Sequence, residues 1–368
     1  MRIMLLTICV ILVASGIMAQ SQSPLDIRMD FESYDPPSTL IVPEHPLTQS
    51  KFPFIDVHSH HWQMEKMDLT NLIQQMDSLN MAINVNLSGR GGKLLSAMTQ
   101  HIDSMGYSHR LIVFTNIEFR TIDDPEWDEH TIAQLEYDVA HGARGLKIYK
   151  SQGMTNQDSS GNRIPLNHPK LDPIWAKCGE LKIPVLIHAA DPAPFWSELD
   201  SLNERWLELK LRPGRKRSDT DPAPWATIIS EQHDVFRKHP ETTFINAHFG
   251  WMANDLDRLS QLMDELPNMY IEFGAVIAEF GRQPRHARQF FTRYQDRILF
   301  GKDAYVPKEY HTYFRVLETA DEYFPYYKRY HAFWRMYGLE LDDVVLKKIY
   351  YKNALRIIPG LDATLFPE

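Results

Sequence analysis

The chain has 368 residues, 43% of them hydrophobic and 24% charged, with a formal net charge of −9. That composition supplies a large apolar core, and the acidic balance excludes nucleic acid as the main partner, since such a partner needs a basic face. The length suits a single α/β barrel carrying insertions.

Residues 1–19 read as a signal peptide. Arg2 provides the positive start, Met4 to Ala14 is an apolar run too short to span a bilayer comfortably, and Ala19 precedes the expected cut. The expectation is a periplasmic or secreted protein with no membrane association after cleavage; a retained N-terminal anchor is the alternative. Cys9 would leave with the leader and Cys178 would remain alone, so no intrachain disulfide is expected. In Trp175-Ala176-Lys177-Cys178 that thiol reads as a small buried apolar group. Residues 20–53, rich in Pro, Ser and Gln, read as an extended arm, and residues 54–368 as the barrel domain.

From Phe54 the pattern alternates between strand and helix. Strands are predicted at 54–58, 82–87, 111–117, 145–149, 183–188, 243–248, 269–273 and 297–300. Between them, Leu69, Leu72, Ile73, Met76 and Leu79, and later Leu256, Leu259, Met263 and Leu266, recur at intervals of three and four, which places each set on one helical face. Eight strands with intervening helices over about 250 residues predict a (β/α)8 TIM barrel, with a doubly wound open sheet as the alternative. Three stretches exceed a minimal barrel: 150–168, 191–227 and the aromatic-rich 304–340. All follow C-terminal strand ends, the face that carries active sites in such barrels. The aromatic stretch reads either as a pocket wall or lid, or as an extra helical hairpin buried on the barrel. Arg215-Lys216-Arg217 reads as a solvated loop tip.

The strongest chemical signal is Asp56-Val57-His58-Ser59-His60-His61. Alternate residues of an extended chain point the same way, so His58 and His60 can face one metal ion from a strand end. His61 should point away. His188 ends the fifth predicted strand, His248 the sixth, and Asp303 follows the eighth, so four strands bring metal-ligating side chains to one rim.

The chain resembles the amidohydrolase superfamily, in particular the amidohydrolase-related branch of small hydrolases, lactonases and nonoxidative decarboxylases. The resemblance spans residues 52–358. It rests on 54–60, on Gly145-Leu146-Lys147-Ile148, on Val185-Leu186-Ile187-His188, on Asn246-Ala247-His248-Phe249-Gly250, on Leu299-Phe300-Gly301-Lys302-Asp303 and on the closing run 349–356. It implies that His58, His60, His188 and Asp303 are the metal ligands, that His248 orients or deprotonates the metal-bound water or touches substrate, and that Asp303 also accepts a proton from that water. Lys147 lies in a run similar to the one holding the bridging lysine of urease. The expectation is one divalent metal, zinc first; two metals bridged by a carboxylated Lys147 are the alternative, as is a Lys147 that anchors substrate or pairs with Asp303.

The expected function is hydrolysis of an ester, lactone or amide bond of a small molecule. Nonoxidative decarboxylation of an aromatic or unsaturated acid is the rival, and a catalytically silent ligand-binding barrel a third reading. A homo-oligomer is compatible with all three. Arg90, in Ser88-Gly89-Arg90-Gly91-Gly92-Lys93, is a candidate for holding a substrate carboxylate, with Glu272 and Arg282 weaker ones.

Overall fold

A computed structural model describes residues 28–367. The expected leader and cut site therefore lie outside the described residues. The chain resolves into two compact units, Met1–Ile41 and Val42–Glu368. In the first, the described part is extended apart from one turn of 3-10 helix at Phe31–Ser33. Among the described residues no helix is long and apolar enough to cross a membrane.

The second unit is a (β/α)8 barrel. Its strands are β1 (Phe54–Ser59), β2 (Met81–Asn86), β3 (Leu111–Thr115), β4 (Ala143–Ile148), β5 (Val185–Ile187), β6 (Phe244–Asn246), β7 (Met269–Glu272) and β8 (Ile298–Leu299), hydrogen-bonded in that order and parallel throughout. The last strand returns to the first: Val57 N donates to Phe300 O at 2.9 Å, Asp303 N donates to His58 O at 2.7 Å, and Ser59 and Asp303 form a parallel bridge. An open doubly wound sheet is thereby ruled out. Every residue of β1 is buried, as expected of a parallel strand covered on both faces.

The helices are α1 (Leu69–Ser78), α2 (Lys93–Ser104), α3 (Trp127–Ala140), α4 (Asp172–Glu180), α5 (Trp206–Leu211), α6 (Trp225–Lys238), α7 (Leu256–Glu265), α8 (Ile277–Arg282), α9 (Pro284–Arg293), α10 (Pro307–Glu318), α11 (Asp343–Lys347) and α12 (Asn353–Ile357). The predicted stripes are the buried faces: Leu69, Leu72, Ile73 and Met76 on α1, and Leu256, Leu259 and Met263 on α7. Both helices start where an aspartate caps them. Asp68 accepts from Asn71 N and Asp255 from Arg258 N, each at 3.2 Å, and such a cap is worth about 1 kcal/mol. Cys178 is buried on α4, and burial pushes its thiol pKa up.

The aromatic stretch divides into two parts. Its first half is α10, whose Tyr310, Tyr313 and Phe314 pack onto the barrel wall near Phe54, Phe273 and Phe300. Its second half is a hairpin of β9 (Phe324–Pro325) and β10 (Arg335–Met336). The segment is thus one helix buried on the barrel followed by a β-hairpin, not a helical hairpin. At the C-terminal end, Asn353 Nδ2 donates to Gln295 O and Ile298 O, which ties α12 to the last barrel strand. Residues 42–53 hold to the same unit: His45 N donates to Asp321 at 2.7 Å and Lys51 N to Glu318 at 3.0 Å.

Candidate metal centre

His58 lies on β1 and His60 just beyond it, while Asp303 follows β8; barrel closure makes these two chain segments neighbours. One nitrogen of His58, one of His60 and one oxygen of Asp303 all lie within 4.8 Å of one another. Asp303 Oδ1 is 3.6 Å from His58 Nε2 and 3.6 Å from His60 Nε2. Donors bound to one tetrahedral zinc at 2.0–2.2 Å stand about 3.3–3.6 Å apart, so these spacings fit a shared cation.

Hydrogen bonds set the tautomers. His58 Nδ1 donates to Glu272 Oε1 at 2.8 Å, leaving Nε2 as a bare lone pair, and this buried atom has no partner among the described residues. His60 Nδ1 lies 2.8 Å from Ser88 Oγ, so with the proton on Nδ1 its Nε2 faces Asp303 bare. Burial, reinforced by charge at His58 and Lys147, lowers the His60 pKa to about 2 and keeps the ring neutral, the form that binds metal. Asp303 behaves oppositely. Burial alone would raise its pKa, but the surrounding His58, His248 and His60 outweigh it and hold the carboxyl well below its ordinary range.

His248 follows β6 in a tight turn, Ala247–Trp251, in which His248, Phe249, Gly250 and Trp251 all have φ between 54° and 59°. Asp303 itself has φ 80°. Left-handed backbone at non-glycine residues costs on the order of 1–3 kcal/mol each, and such strain clusters at functional sites. His248 Nδ1 donates to Gly274 O at 2.6 Å, so its Nε2 is an acceptor. His188 Nδ1 lies 3.3 Å from that Nε2 and must be the donor, which leaves His188 Nε2 bare, buried and unpartnered. His188 stands outside the trio of His58, His60 and Asp303 and meets the cluster through His248.

Glu272, at the end of β7, groups with His58 and His248. Its oxygens are already engaged: Oε1 takes His58 Nδ1 and His248 N, both at 2.8 Å, and Oε2 takes Gly274 N at 2.6 Å. Burial would raise its pKa, but His58, His248 and that N–H hold it at about 2. Glu272 therefore supports His58 and His248, with no oxygen left without a partner for a substrate. Carboxylate-to-histidine pairs of this kind fix ring orientation around metals. Below it, buried Asp56 accepts from His58 N, Lys302 N and Tyr310 Oη, and desolvation raises its pKa to about 7.

Lys147, on β4, is buried, and its Nζ has no hydrogen-bond partner among the described residues. Burial lowers its pKa to about 7 against the opposing pull of Glu272 and Asp303. A large fraction of this amine is then unprotonated at neutral pH, the form that can accept carbon dioxide or bind a metal. Arg90 donates from Nη2 to Trp62 O at 3.2 Å. Arg282 pairs with Glu204 at 3.0 Å and stacks 3.8 Å over Trp334, in a groove on the outer surface. His61 is buried against Tyr305, with ring centroids 5.0 Å apart.

Over the centre lies a cavity of about 130 Å³ whose floor includes His188, His248 and Asp303. Its roof comes from the stretch after β5 (Arg205, Glu208, Arg215) and from the β9–β10 hairpin (Lys328, Tyr330, His331). These residues fall in the stretches 191–227 and 304–340 that the sequence places on this face, but nothing in their spacing singles them out, and the same holds for Ser88 and Asp56 as supports of the centre; Arg215, expected at a solvated loop tip, instead lines the cavity and donates to buried Glu208.

A TIM-barrel protein from Bordetella bronchiseptica superposes with a TM-score of 0.52 at 15% identity, over 83% of this chain and 98% of the other. A 2,6-dihydroxybenzoate decarboxylase, solved with 2,6-dihydroxybenzoate, superposes with a TM-score of 0.50 at 13% identity, over 83% and 99%. At these identities the likeness establishes the fold alone. No curated protein matches at a significant level. The family model described as Amidohydrolase matches residues 121–360, well over half the chain, and the chain belongs to the amidohydrolase family.

Proposed function

We propose that the protein is a metal-dependent hydrolase that cleaves an ester, lactone or amide bond of a small molecule, with His58, His60, His188 and Asp303 as metal ligands and one ion, zinc first, per chain. The observation that carries the reading is the pair of bare imidazole nitrogens, His58 Nε2 and His60 Nε2, each 3.6 Å from the Asp303 carboxylate with its ring held from behind by Glu272 or Ser88; His188, held by His248, adds a buried and unpartnered Nε2. Unpaired lone pairs buried together are costly unless a cation accepts them. The family is metal-dependent, and a donor set of imidazoles and a carboxylate suits zinc, manganese or iron.

When bound, such an ion lowers the pKa of a water molecule toward neutrality and polarises the scissile carbonyl. The chain's own residues do the rest. Asp303, fully ionised, takes the proton of the attacking water on its carboxylate and returns it to the departing oxygen or nitrogen. His248, neutral because burial lowers its pKa to about 4, holds its ring against Trp251 at 4.5 Å between centroids and accepts at Nε2 from His188 Nδ1. Lys147 presents a buried amine on the same rim. The cavity is small beside the roughly 300–1,000 Å³ of drug-sized sites, which favours a compact substrate.

The test is to strip the purified protein with a chelator, reload it with zinc or manganese, and screen esters, lactones and amides in H2(18)O. Expected are about one metal per chain, turnover that returns only with metal, and one 18O in the product. Carbon dioxide release without label uptake would replace this reading by decarboxylation. Absence of stoichiometric metal together with absence of turnover would leave a silent barrel.

A further inference from the structure

The charges in the cavity roof do not balance. Besides Asp303 on the floor, its wall holds two carboxylates, Asp191 and Glu208, and both are taken. Asp191 Oδ1 accepts from Lys150 Nζ at 2.5 Å and Oδ2 from Arg217 Nη2 at 3.0 Å. Glu208, buried on α5, accepts from Arg205 at 3.1 Å and from Arg215, and lies 3.3 Å from His331 Nε2.

Lys328, on the β9–β10 hairpin, lines the same cavity and has no carboxylate partner among the described residues. Its ammonium meets only a ring face, that of Tyr327, with 5.6 Å to the centroid. His331, three residues on, reports the local field: burial first, then the charges of Arg205, Lys328, Arg215 and Arg212, drive its pKa down to about 2, so it adds no positive charge of its own. Buried Arg205 is neutralised by Glu208 and by Glu279, to which its Nη2 donates at 2.6 Å, and keeps one N–H, at Nε, without a partner. Lys328 is thus the cation left over, and a pocket with an unpaired cation in its wall attracts anions.

We propose that Lys328 anchors an anionic group of the substrate, a carboxylate or a phosphate, at the roof, so that the reacting carbonyl is directed down to Asp303. The substrate is then a compact molecule with its labile bond at one end and its negative charge at the other. This rests on the hydrolase reading for the floor of the cavity. Lys328 is a specificity residue and not part of the proton-transfer machinery.

The experiment uses the full metal-loaded protein and reads thermal shift and calorimetric binding of glutarate, dimethyl glutarate and inorganic phosphate. Wild type, Lys328→Met and Lys328→Arg are compared after circular dichroism and metal analysis show that each is folded and loaded. At least one of the two anions should bind the wild type, with the neutral diester inert. Lys328→Met should weaken that binding about 10- to 100-fold, the weight of one charge-assisted hydrogen bond, and Lys328→Arg should restore most of it. A response to glutarate alone assigns a carboxylate; a response to phosphate alone assigns a phosphate. The proposal is overturned if neither anion binds, or if Lys328→Met binds as the wild type does, which would place the anion on the metal. On a substrate from the screen, Lys328→Met should raise KM about tenfold or more while kcat stays within a few-fold. Failure of the hydrolase reading is distinguishable, because it would appear in the wild type as absence of metal-dependent turnover whatever the anions do.

Discussion

Glu272 Oε1 stands 2.8 Å from His58 Nδ1 and 2.8 Å from His248 N, so one buried carboxylate aligns two histidines from two strands. Replacing it with glutamine keeps the shape but gives His58 an amide in place of an anion. Glu272→Gln should weaken metal binding about 10- to 100-fold, as loss of an outer partner typically does, with the fold retained. Metal titration against a competing chelator measures this, and unchanged affinity would show that Glu272 does not tune the centre.

His58→Ala and Asp303→Asn separate ligation from proton transfer. The first should abolish stoichiometric metal and turnover together. The second keeps an oxygen donor but removes the base, and should lower kcat by about 10²- to 10⁴-fold, the usual contribution of a positioned acid–base group. Near-normal activity in either variant would require a different centre.

Gly301 has no room for a methyl group. A Cβ there would lie 2.2 Å from Glu272 Oε2 and 3.1 Å from His58 Cβ, both of them buried. Gly301→Ala should therefore displace Glu272, destabilise the fold by about 1–3 kcal/mol as other overpacked cores do, and lower metal affinity. Denaturant unfolding combined with metal titration tests both effects. A well-folded variant with full affinity would mean that the backbone yields more easily than its packing implies.

Metal-free protein should lose stability on mild acidification. The folded-state pKa values of His60 and His248 are depressed, to about 2 and about 4, below the ordinary 6.5. Below pH 6.5 the unfolded chain binds protons that the folded chain refuses, so stability is fully present above that value and is lost as pH falls toward the folded pKa values. For buried His248 the loss is on the order of 3 kcal/mol. Tm followed from pH 7.5 to 4.5 should fall, and His248→Gln should flatten the fall. A flat profile in the parent protein would refute the neutral-histidine assignment.

Lys147→Met distinguishes the two metal counts. With one ion per chain, metal content should be unchanged and activity reduced. With two ions bridged by a carboxylated lysine, the content should fall from two toward one or none. Elemental analysis, with and without added bicarbonate, decides between them.

Much of the fold was legible because parallel strands buried on both faces are written as short apolar runs, and all eight lie within a few residues of where those runs sit. The placement of His58, His60, His188, His248 and Asp303 at one end of the barrel was legible for a related reason: each ends or closely follows such a run. Glu272 was visible only as a weak substrate contact, because its role depends on His58, 214 residues away, and no local pattern encodes that pairing. The roof was legible only as two stretches, 191–227 and 304–340, on the active-site face, and not residue by residue. Arg205, Glu208 and Lys328 sit on short or irregular segments whose juxtaposition follows from tertiary packing alone.

The seam between the last and the first strands has a kinetic consequence. Asp303 N is fastened to His58 O, and nearby Lys302 N reaches Asp56 across 246 residues of sequence. The proposed cation-binding set comes together only once the two ends of the barrel have met, among the longest-range and slowest contacts such a chain makes. Ion uptake should then be the final event of refolding: added zinc would trap the finished molecule by mass action, yet leave the rate of reaching it unchanged.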